Sequence, residues 1–457
     1  MITDFFIRKI KSLDSKDIPE RVFYQARCCF LDFLGVALAG SKRMALVESE
    51  LFSSFQDIYF GTHVIGNGVR VSPLNAALIN GINSHVLELD DGHRIGMLHL
   101  GAPIISALLA VAEKDELEAD RLLFGIIIGY EVAIRLACCI QPGNKLKGYH
   151  ATGTCGTIGA TMGIAAALDF DYDQMKSALS ASVTSSAGIL EMIVGDSQLK
   201  PFNAGRAAMD GVMAAYVGRS RFKAPEDALG GERGFLAIMT ENPKLSFLSD
   251  WPEGKFMIET IYMKPYAACR HCHPSIEASF AIRKDPGFNI SNIDSIHVST
   301  YQLAVSGHNH VNIQGCNSAK MSIPYSIAVS LATGRAGMEE FTEKYINDPD
   351  ILSLARKVTV SACDELTALC PQRRVAVVEI KMLNGNFVIK RVDFPKGEPE
   401  NPLTQIELKD KFRDLARFGG LSDSSCEEII SEVFKDRFDL SKILRLLCLE
   451  GDNDYSY

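Results

Sequence analysis

Apolar residues recur along the first 250 positions at the three-to-four-residue spacing of helices that bury one face or more. Residues 19–40 run from Pro19, suited to a first helical turn, through Val22, Ala26, Phe30, Phe33, Leu34 and Ala37 to Gly40, so that start, apolar face and stop lie in one segment. The same spacing predicts helices over 72–89, over 101–117 behind Gly101-Ala102-Pro103, and over 119–140. Gly153, Gly156, Gly159 and Gly163 share one helical face and permit close helix packing. They lack the Gly-x-Gly-x-x-Gly spacing and the preceding strand of a dinucleotide loop. Asp171 with Gln174 predicts a capping-box start for a helix over 172–188, and Asn203 a cap for one over 204–218.

The period changes after Trp251. Residues 295–301 and 357–363 alternate as half-buried strands do, and the runs 375–382 and 387–392 flank Leu383-Asn384-Gly385-Asn386, a strong hairpin signal. Helical periodicity returns over 404–417, 423–435 and 439–449. The expected class is mainly α. A large all-α helical domain, residues 1–258 plus 400–457, carries a smaller α+β lid domain, residues 259–399.

Composition narrows the function classes. A chain of 457 residues suits two or three domain-sized units. A net charge of −9 lacks the basic footprint of a nucleic-acid binder, so no nucleic-acid partner is expected, and an anionic substrate needs local positive groups. The 12 cysteines are scattered, with adjacent pairs at Cys28-Cys29 and Cys138-Cys139, which suits reduced thiols and a cytoplasmic protein. Asp4, Arg8 and Lys9 interrupt the apolar core that a signal peptide needs. The stretch 122–140 is apolar enough to suggest a membrane span, but Glu131 and Arg135 would each cost about 2.5–3.5 kcal/mol near a bilayer centre. A buried helix and no membrane partner are expected.

Candidate chemistry centres on residues 83–103, where His85, Glu88, Asp90, Asp91, His93, Arg94 and His99 fall between two Ala-rich apolar segments. Charges beside core helices need partners or a cleft. The plainer alternative is a solvated loop that caps the next helix. Six of the ten histidines lie in three short segments: His85, His93 and His99; His150 within Gly148–Thr152; and His271 and His273 within Lys264–Pro274. Cys269-x-x-Cys272 with His271 and His273 offers soft zinc ligands, yet no second Cys-x-x-Cys completes the set, and adjacent His-Cys-His cannot converge on one ion. No metal is expected. Acid/base chemistry fits better, with His99 or His150 as proton carriers and a neighbouring tyrosine or lysine as the second acid or base. Lys200, held extended by Pro201 and beside Arg206 and a helix start, suits a carboxylate.

These segments together resemble the MmgE/PrpD family of 2-methylcitrate dehydratase, cis-aconitate decarboxylase and iminodisuccinate epimerase. The matching residues are Leu31-Asp32-Phe33-Leu34-Gly35, Asp90-Asp91 followed by His99 and Gly101, Tyr149-His150, Lys200-Pro201 before Gly205-Arg206-Ala207-Ala208, Lys264 leading to His273, and Ser318–Tyr325. The resemblance implies a helical domain with an α+β lid, a homodimer, and catalysis without metal or organic cofactor. It carries active-site positions onto His99, His150, Lys200, Lys264 and Tyr325, with Tyr149 as a further catalytic group. Asp91, Arg94, Cys269, Arg270 and His273 are the other expected substrate-binding residues. This chain has Cys269 where the decarboxylase and dehydratase resemblance places a histidine, and Gly92 where the decarboxylase has a hydroxyl-bearing residue. The expected activity is a cofactor-free lyase of a small di- or tricarboxylate. An epimerase using Tyr149 and Lys200, or an inactive binding or scaffold protein, are the alternatives.

Overall fold

The computed structural model describes residues 1–53, 61–193 and 197–448, so position 449 of the predicted last helix lies outside the described residues. The long helix α1 (Glu20–Ser53) starts where Pro19 predicts but runs on past Gly40. Gly40 is a crossing point rather than a stop: a Cβ there would sit 1.9 Å from the Asn83 carbonyl oxygen of α2 (Pro73–Val86). Ser72 caps α2 through its side chain, with Pro73 in the first turn. Next come α3 (Gly101–Lys114), α4 (Ala119–Ile140), α5 (Ala151–Ala167), α6 (Tyr172–Ser185) and α7 (Lys200–Arg219).

The glycine face of α5 works as the spacing predicts. Gly163 faces Gly125 of α4, and Gly159 faces Gly129, each with a backbone oxygen within 2.7 Å of where a Cβ would stand. Such contact lets two apolar helices share a dry seam at short range. α4 is buried along its length, and its two charges are paired inside the protein. Glu131 bonds Arg135 at 2.6 Å, and the guanidinium lies over the Trp251 ring and donates to the carbonyls of Phe247 and Asp250. The capping box of Asp171 and Gln174 opens α6. The start of α7 differs from the prediction. It begins at Lys200, because Pro201 fits the first turn, where its missing N–H removes no helical bond. Asn203 is therefore inside the helix, free to point its amide elsewhere.

After a stretch of short turns the chain forms α8 (His273–Arg283), β1 (Ile293–Thr300), α9 (Ile323–Thr333), β2 (Val358–Ala362), β3 (Ala376–Met382) and β4 (Phe387–Val392). The sheet order is β2-β1-β3-β4, with β1 parallel to β2 and the other pairs antiparallel. Asn384-Gly385 makes the predicted hairpin turn, with Gly385 at φ +85°. Alternate residues Ala376, Val378, Ile380 and Met382 of β3 are buried on one sheet face, and α8 packs against β3 and β4. Last are α10 (Gln405–Phe418), α11 (Asp423–Val433) and α12 (Leu440–Leu447).

Two apolar clusters organise the molecule. One gathers the N-terminal helices with Leu408, Phe412, Ile429, Ile443 and other residues of the last three helices. The second gathers the sheet, α8 and α9, and reaches into the first body through Val36, Leu87 and Leu415. Lys411 of α10 bonds buried Asp32 of α1 at 2.6 Å. The cleft between the clusters holds the charged groups.

Candidate active site

The turn after α2 ends in Glu88, a non-glycine residue at φ +57°, a left-handed conformation that costs about 1–2 kcal/mol. That turn aims a buried carboxylate at two lysines from distant segments. Glu88 pairs with Lys200 at the start of α7 through Oε1 and with Lys264 through Oε2 at 2.9 Å. Burial alone would raise the Glu88 pKa, but Lys200 and Lys264 hold it well below the usual carboxylate range. Asp90 continues the chain of charges. Its Oδ1 lies 3.4 Å from Lys264, and its Oδ2 accepts from His85 Nδ1 at 2.7 Å and lies 3.1 Å from His99 Nδ1. Among the described residues His85, Asp90 and His99 are the group whose ligand atoms stand close enough to share a metal ion. Lys264 already supplies Asp90 with a cation.

Two histidines face the cavity with different tautomers. His99 Nδ1 is 2.7 Å from the Asp91 carbonyl oxygen, an acceptor only, so Nδ1 carries the proton and Nε2 keeps a lone pair. Burial pushes its pKa down to about 4. His150 is arranged the other way. The Asn203 amide nitrogen lies 3.2 Å from His150 Nδ1 and also faces the Ile189 carbonyl, so it is the donor, and His150 carries its proton on Nε2. Burial, with Lys200 next in effect, holds the His150 pKa well below its ordinary value. At neutral pH the pair offers one basic and one acidic ring nitrogen.

The cavity measures about 130 Å³, room for a small organic acid rather than a nucleotide. Among the described residues Glu88 is the one carboxylate in its wall, against the basic side chains of Lys145, Lys200, Lys264, Arg270 and Arg374. Arg270 is tied up by Glu398 at 2.9 Å, by His273 and by the carbonyls of Pro395 and Lys396. Arg374 is different. It is 5% exposed, bonds the Arg94 carbonyl through Nη2, and has a buried Nε without a hydrogen-bond partner among the described residues. Lys145 stands half-buried in the same wall with its pKa lowered by burial. Neither is ion-paired to a carboxylate among the described residues, so both are free to receive substrate charge.

Of the residues expected from sequence, His99, His150, Lys200, Tyr149, Lys264, Cys269 and Arg270 line this cavity. Four others do not. Asp91 is turned inward: Oδ1 caps α3 through the amides of Leu100 and Gly101, and Oδ2 accepts from Tyr130 at 2.5 Å. Burial raises its pKa to about 7. The capping alternative for this stretch thus holds for Asp91, though in a dry setting. Arg94 is spent on Glu398 and Glu400. His273 bonds Arg270 and the Ala268 carbonyl, so it orients a cation and touches no ligand space. Tyr325 is fully buried behind the wall and donates to the Glu340 carbonyl at 2.7 Å, because Ser322 caps α9 and turns that face into the sheet core. Arg206 is also off the site, paired with Asp210.

The zinc alternative meets divergent side chains. Cys272 Sγ lies 3.9 Å from the Lys320 carbonyl, and His271 bonds the Tyr301 hydroxyl at 2.6 Å. Sequence reasoning placed His85, Glu88 and Asp90 in the charged stretch without individual roles, weighed His271 only as a zinc ligand, and did not single out Lys145, His308 or Arg374. Burial of Glu88 and Asp90 was signalled by their place between core helices. Lys145, His308 and Arg374 lie in polar stretches that give no such signal.

Comparison with known proteins agrees with this architecture. The MmgE/PrpD N-terminal domain matches residues 6–248, and the MmgE/PrpD C-terminal domain matches residues 266–436. Cis-aconitate decarboxylase of Aspergillus terreus is 27% identical over 473 residues, covering 95% of this chain and 94% of that protein. Cis-aconitate decarboxylase of Homo sapiens is 26% identical, over 98% of this chain and 94% of its own. The mitochondrial 2-methylcitrate dehydratase of Yarrowia lipolytica is 23% identical, over 73% and 67%. With both domains matched in order along nearly all of its length, the chain belongs to the MmgE/PrpD family.

Proposed function

We propose that the protein is a cofactor-free lyase of a small di- or tricarboxylic acid. The observation that carries this reading is the pair of neutral histidines with opposite tautomers at a cleft with excess positive charge. In this scheme Arg374 and Lys145 receive substrate carboxylates by charge-assisted hydrogen bonds. Glu88 and Asp90 balance the charges of Lys200 and Lys264, so Arg374 and Lys145 supply the positive charge that stabilises the enediolate formed when a proton α to a carboxylate is removed. In dehydration His99 Nε2 takes that proton and His150 Nε2–H protonates the leaving hydroxyl; in decarboxylation no α-proton is removed, and His150 Nε2–H protonates the carbon that keeps the electron pair when CO2 leaves. Relatives named as decarboxylases and a dehydratase support this reaction class.

The experiment is turnover of cis-aconitate and 2-methylcitrate in deuterium oxide, followed by NMR. A lyase yields a new alkene. Substitution of His150 by Ala lowers kcat about 10²- to 10⁴-fold with little change in KM, and Lys200→Ala loses about 30- to 1000-fold in kcat/KM. Deuterium at a stereocentre without loss of water or CO2 selects the epimerase instead, with Tyr149 and Lys200 as acid and base. Binding of these acids without any turnover selects the scaffold reading.

The proposal includes a homodimer, supported by the exposed apolar side chains of Ile189, Leu199, Phe202 and Met213 in and just before α7. Light scattering at low micromolar concentration tests it, and a monomer refutes it. A cytoplasmic site is proposed from the 12 unpaired cysteines, and cell fractionation decides it.

A further inference from the structure

Cys269 and His308 meet in the wall of the cavity, and the scheme above uses neither. Cys269 precedes a short turn, Arg270–Cys272, and its amide donates to the Lys320 carbonyl at 2.8 Å. That anchor holds its side chain at the cavity while Cys272 turns back into the core. The thiol and the His308 ring stand together in that wall and interact electrostatically. His308 Nδ1 lies 3.1 Å from the Ser306 carbonyl, which leaves the other ring nitrogen for sulfur, and the His271 ring packs on it at 4.9 Å. His271 is itself engaged with the Tyr301 hydroxyl and does not compete. The charged and titratable groups around the pair, among the described residues, are Glu88, Lys145, Lys200, Lys264, His271, Cys272, Tyr301 and Arg374.

We propose that Cys269 and His308 form a nucleophilic thiolate–imidazolium site, which the cavity's free cations direct at small carboxylate-bearing electrophiles, above all α,β-unsaturated acids. Three observations meet here. A histidine stands beside the thiol in one cavity wall, the thiol faces ligand space, and Arg374 carries in the same wall a buried Nε that has no hydrogen-bond partner among the described residues. Burial by itself would raise the thiol pKa, but the charge of His308 beside it brings it down to about 6. His308 is raised in turn: burial opposes its charge, and Cys269 more than offsets that. The thiolate is the reactive form, and a neighbouring imidazolium is an established way of populating it.

The step balances as an addition. Sulfur forms a bond to the β-carbon, the alkene electron pair moves to the α-carbon as an enediolate beside the cation-held carboxylate, and His308 delivers its proton there. The product is a thioether, with no oxidant or reductant consumed. If the lyase reading holds, the alkene acids it makes or consumes belong to this class, so the same cavity would host both turnover and its own covalent arrest. That last link rests on the proposed function, whereas the nucleophilic site does not.

The test labels the full-length protein with iodoacetate and iodoacetamide across pH 5–9, with peptide mass spectrometry resolving Cys269 from the other cysteines. Anionic iodoacetate alkylates Cys269 at least tenfold faster than iodoacetamide, while the order is reversed at half-buried Cys363, which does not line the cavity. The rate at Cys269 has a midpoint near pH 6, and His308→Gln moves it up by more than one unit towards the ordinary thiol value of about 8.5. Arg374→Gln abolishes the preference for iodoacetate and leaves the iodoacetamide rate within about threefold. Maleate gives a thioether adduct at Cys269.

A midpoint near 8.5 in the wild type overturns the site, and so does a midpoint that His308→Gln fails to move. Equal rates for the two reagents, or no maleate adduct, overturn the carboxylate-electrophile class. These arms need no turnover, so a protein inert towards cis-aconitate and 2-methylcitrate refutes the lyase reading while leaving the labelling result to stand or fall separately.

Discussion

The α4–α5 seam and the floor of the cavity both lie deep in the protein, and they are built from opposite materials. Along the seam, Gly125, Gly129, Gly159 and Gly163 bring two apolar backbones together with no polar side chain at the contact. On the floor, Glu88, Asp90, Lys200, Lys264, His85 and His99 form a continuous network of ion pairs and hydrogen bonds. Packing of the first kind stabilises by excluding water. A buried ionic network roughly breaks even against an apolar substitute, because desolvation offsets the Coulombic gain. The floor is therefore explained by chemistry at the cavity, and the seam by stability.

The largest effect expected comes from breaking the floor at one partner. Lys264→Met leaves Glu88 and Asp90 without their shared ammonium and destabilises by about 3–5 kcal/mol, read by urea denaturation. Adding Glu88→Gln recovers part of that stability and none of the turnover. Full recovery of activity in the double variant would show the ionic floor to be structural. Next is a pH effect. His99 has a folded pKa of about 4 against about 6.5 when free, so between those values the unfolded chain binds a proton that the folded chain does not. The associated stability is complete above pH 6.5 and is lost as pH falls towards 4. At about 1.4 kcal/mol per unit the loss is at most about 3.5 kcal/mol. The difference in melting temperature between wild type and His99→Gln should change over that window and be flat above it.

The seam should respond in stability alone. Gly129→Val places atoms against Ile104 Cγ2, 2.6 Å from the Cβ position, and costs about 1–3 kcal/mol, with kcat per folded molecule unchanged. A lost kcat at retained stability would mean that the seam positions the site. The smallest effect belongs to Tyr325. Tyr325→Phe removes its bond to the Glu340 carbonyl, costs about 1 kcal/mol, and leaves kcat within about twofold. A drop of a hundredfold would place Tyr325 in contact with substrate after all.

Much of the frame was legible because helices, caps and hairpins are decided by residues a few positions apart. The capping box at Asp171, the Asn384-Gly385 turn and the glycine face of α5 all stand where the pattern puts them. The misreadings share a cause. Gly40 reads locally as a stop, but the approach of α2 makes it a crossing point. Asn203 reads locally as a cap, but Pro201 starts the helix earlier and releases its amide for His150. One histidine from each of the three clusters, His99, His150 and His271, lines the cavity. Within them, His93 bonds the Gly96 amide and holds its own loop, whereas His85, with no role assigned from sequence, bonds Asp90.

Sequence alone determined the helical body, the small sheet with its hairpin, the supply of buried charge after α2 and the excess of histidine near it. Only the tertiary structure decided which of those groups are free to act. Glu88 takes Lys200 from 112 positions away and Lys264 from 176, Asn203 sets the tautomer of His150 from 53, and Arg94 and Arg270 are spent on Glu398. Secondary structure depends on near neighbours along the chain, whereas a charge, a tautomer or a pKa depends on whatever the fold brings within a few ångströms of it in a medium that screens poorly.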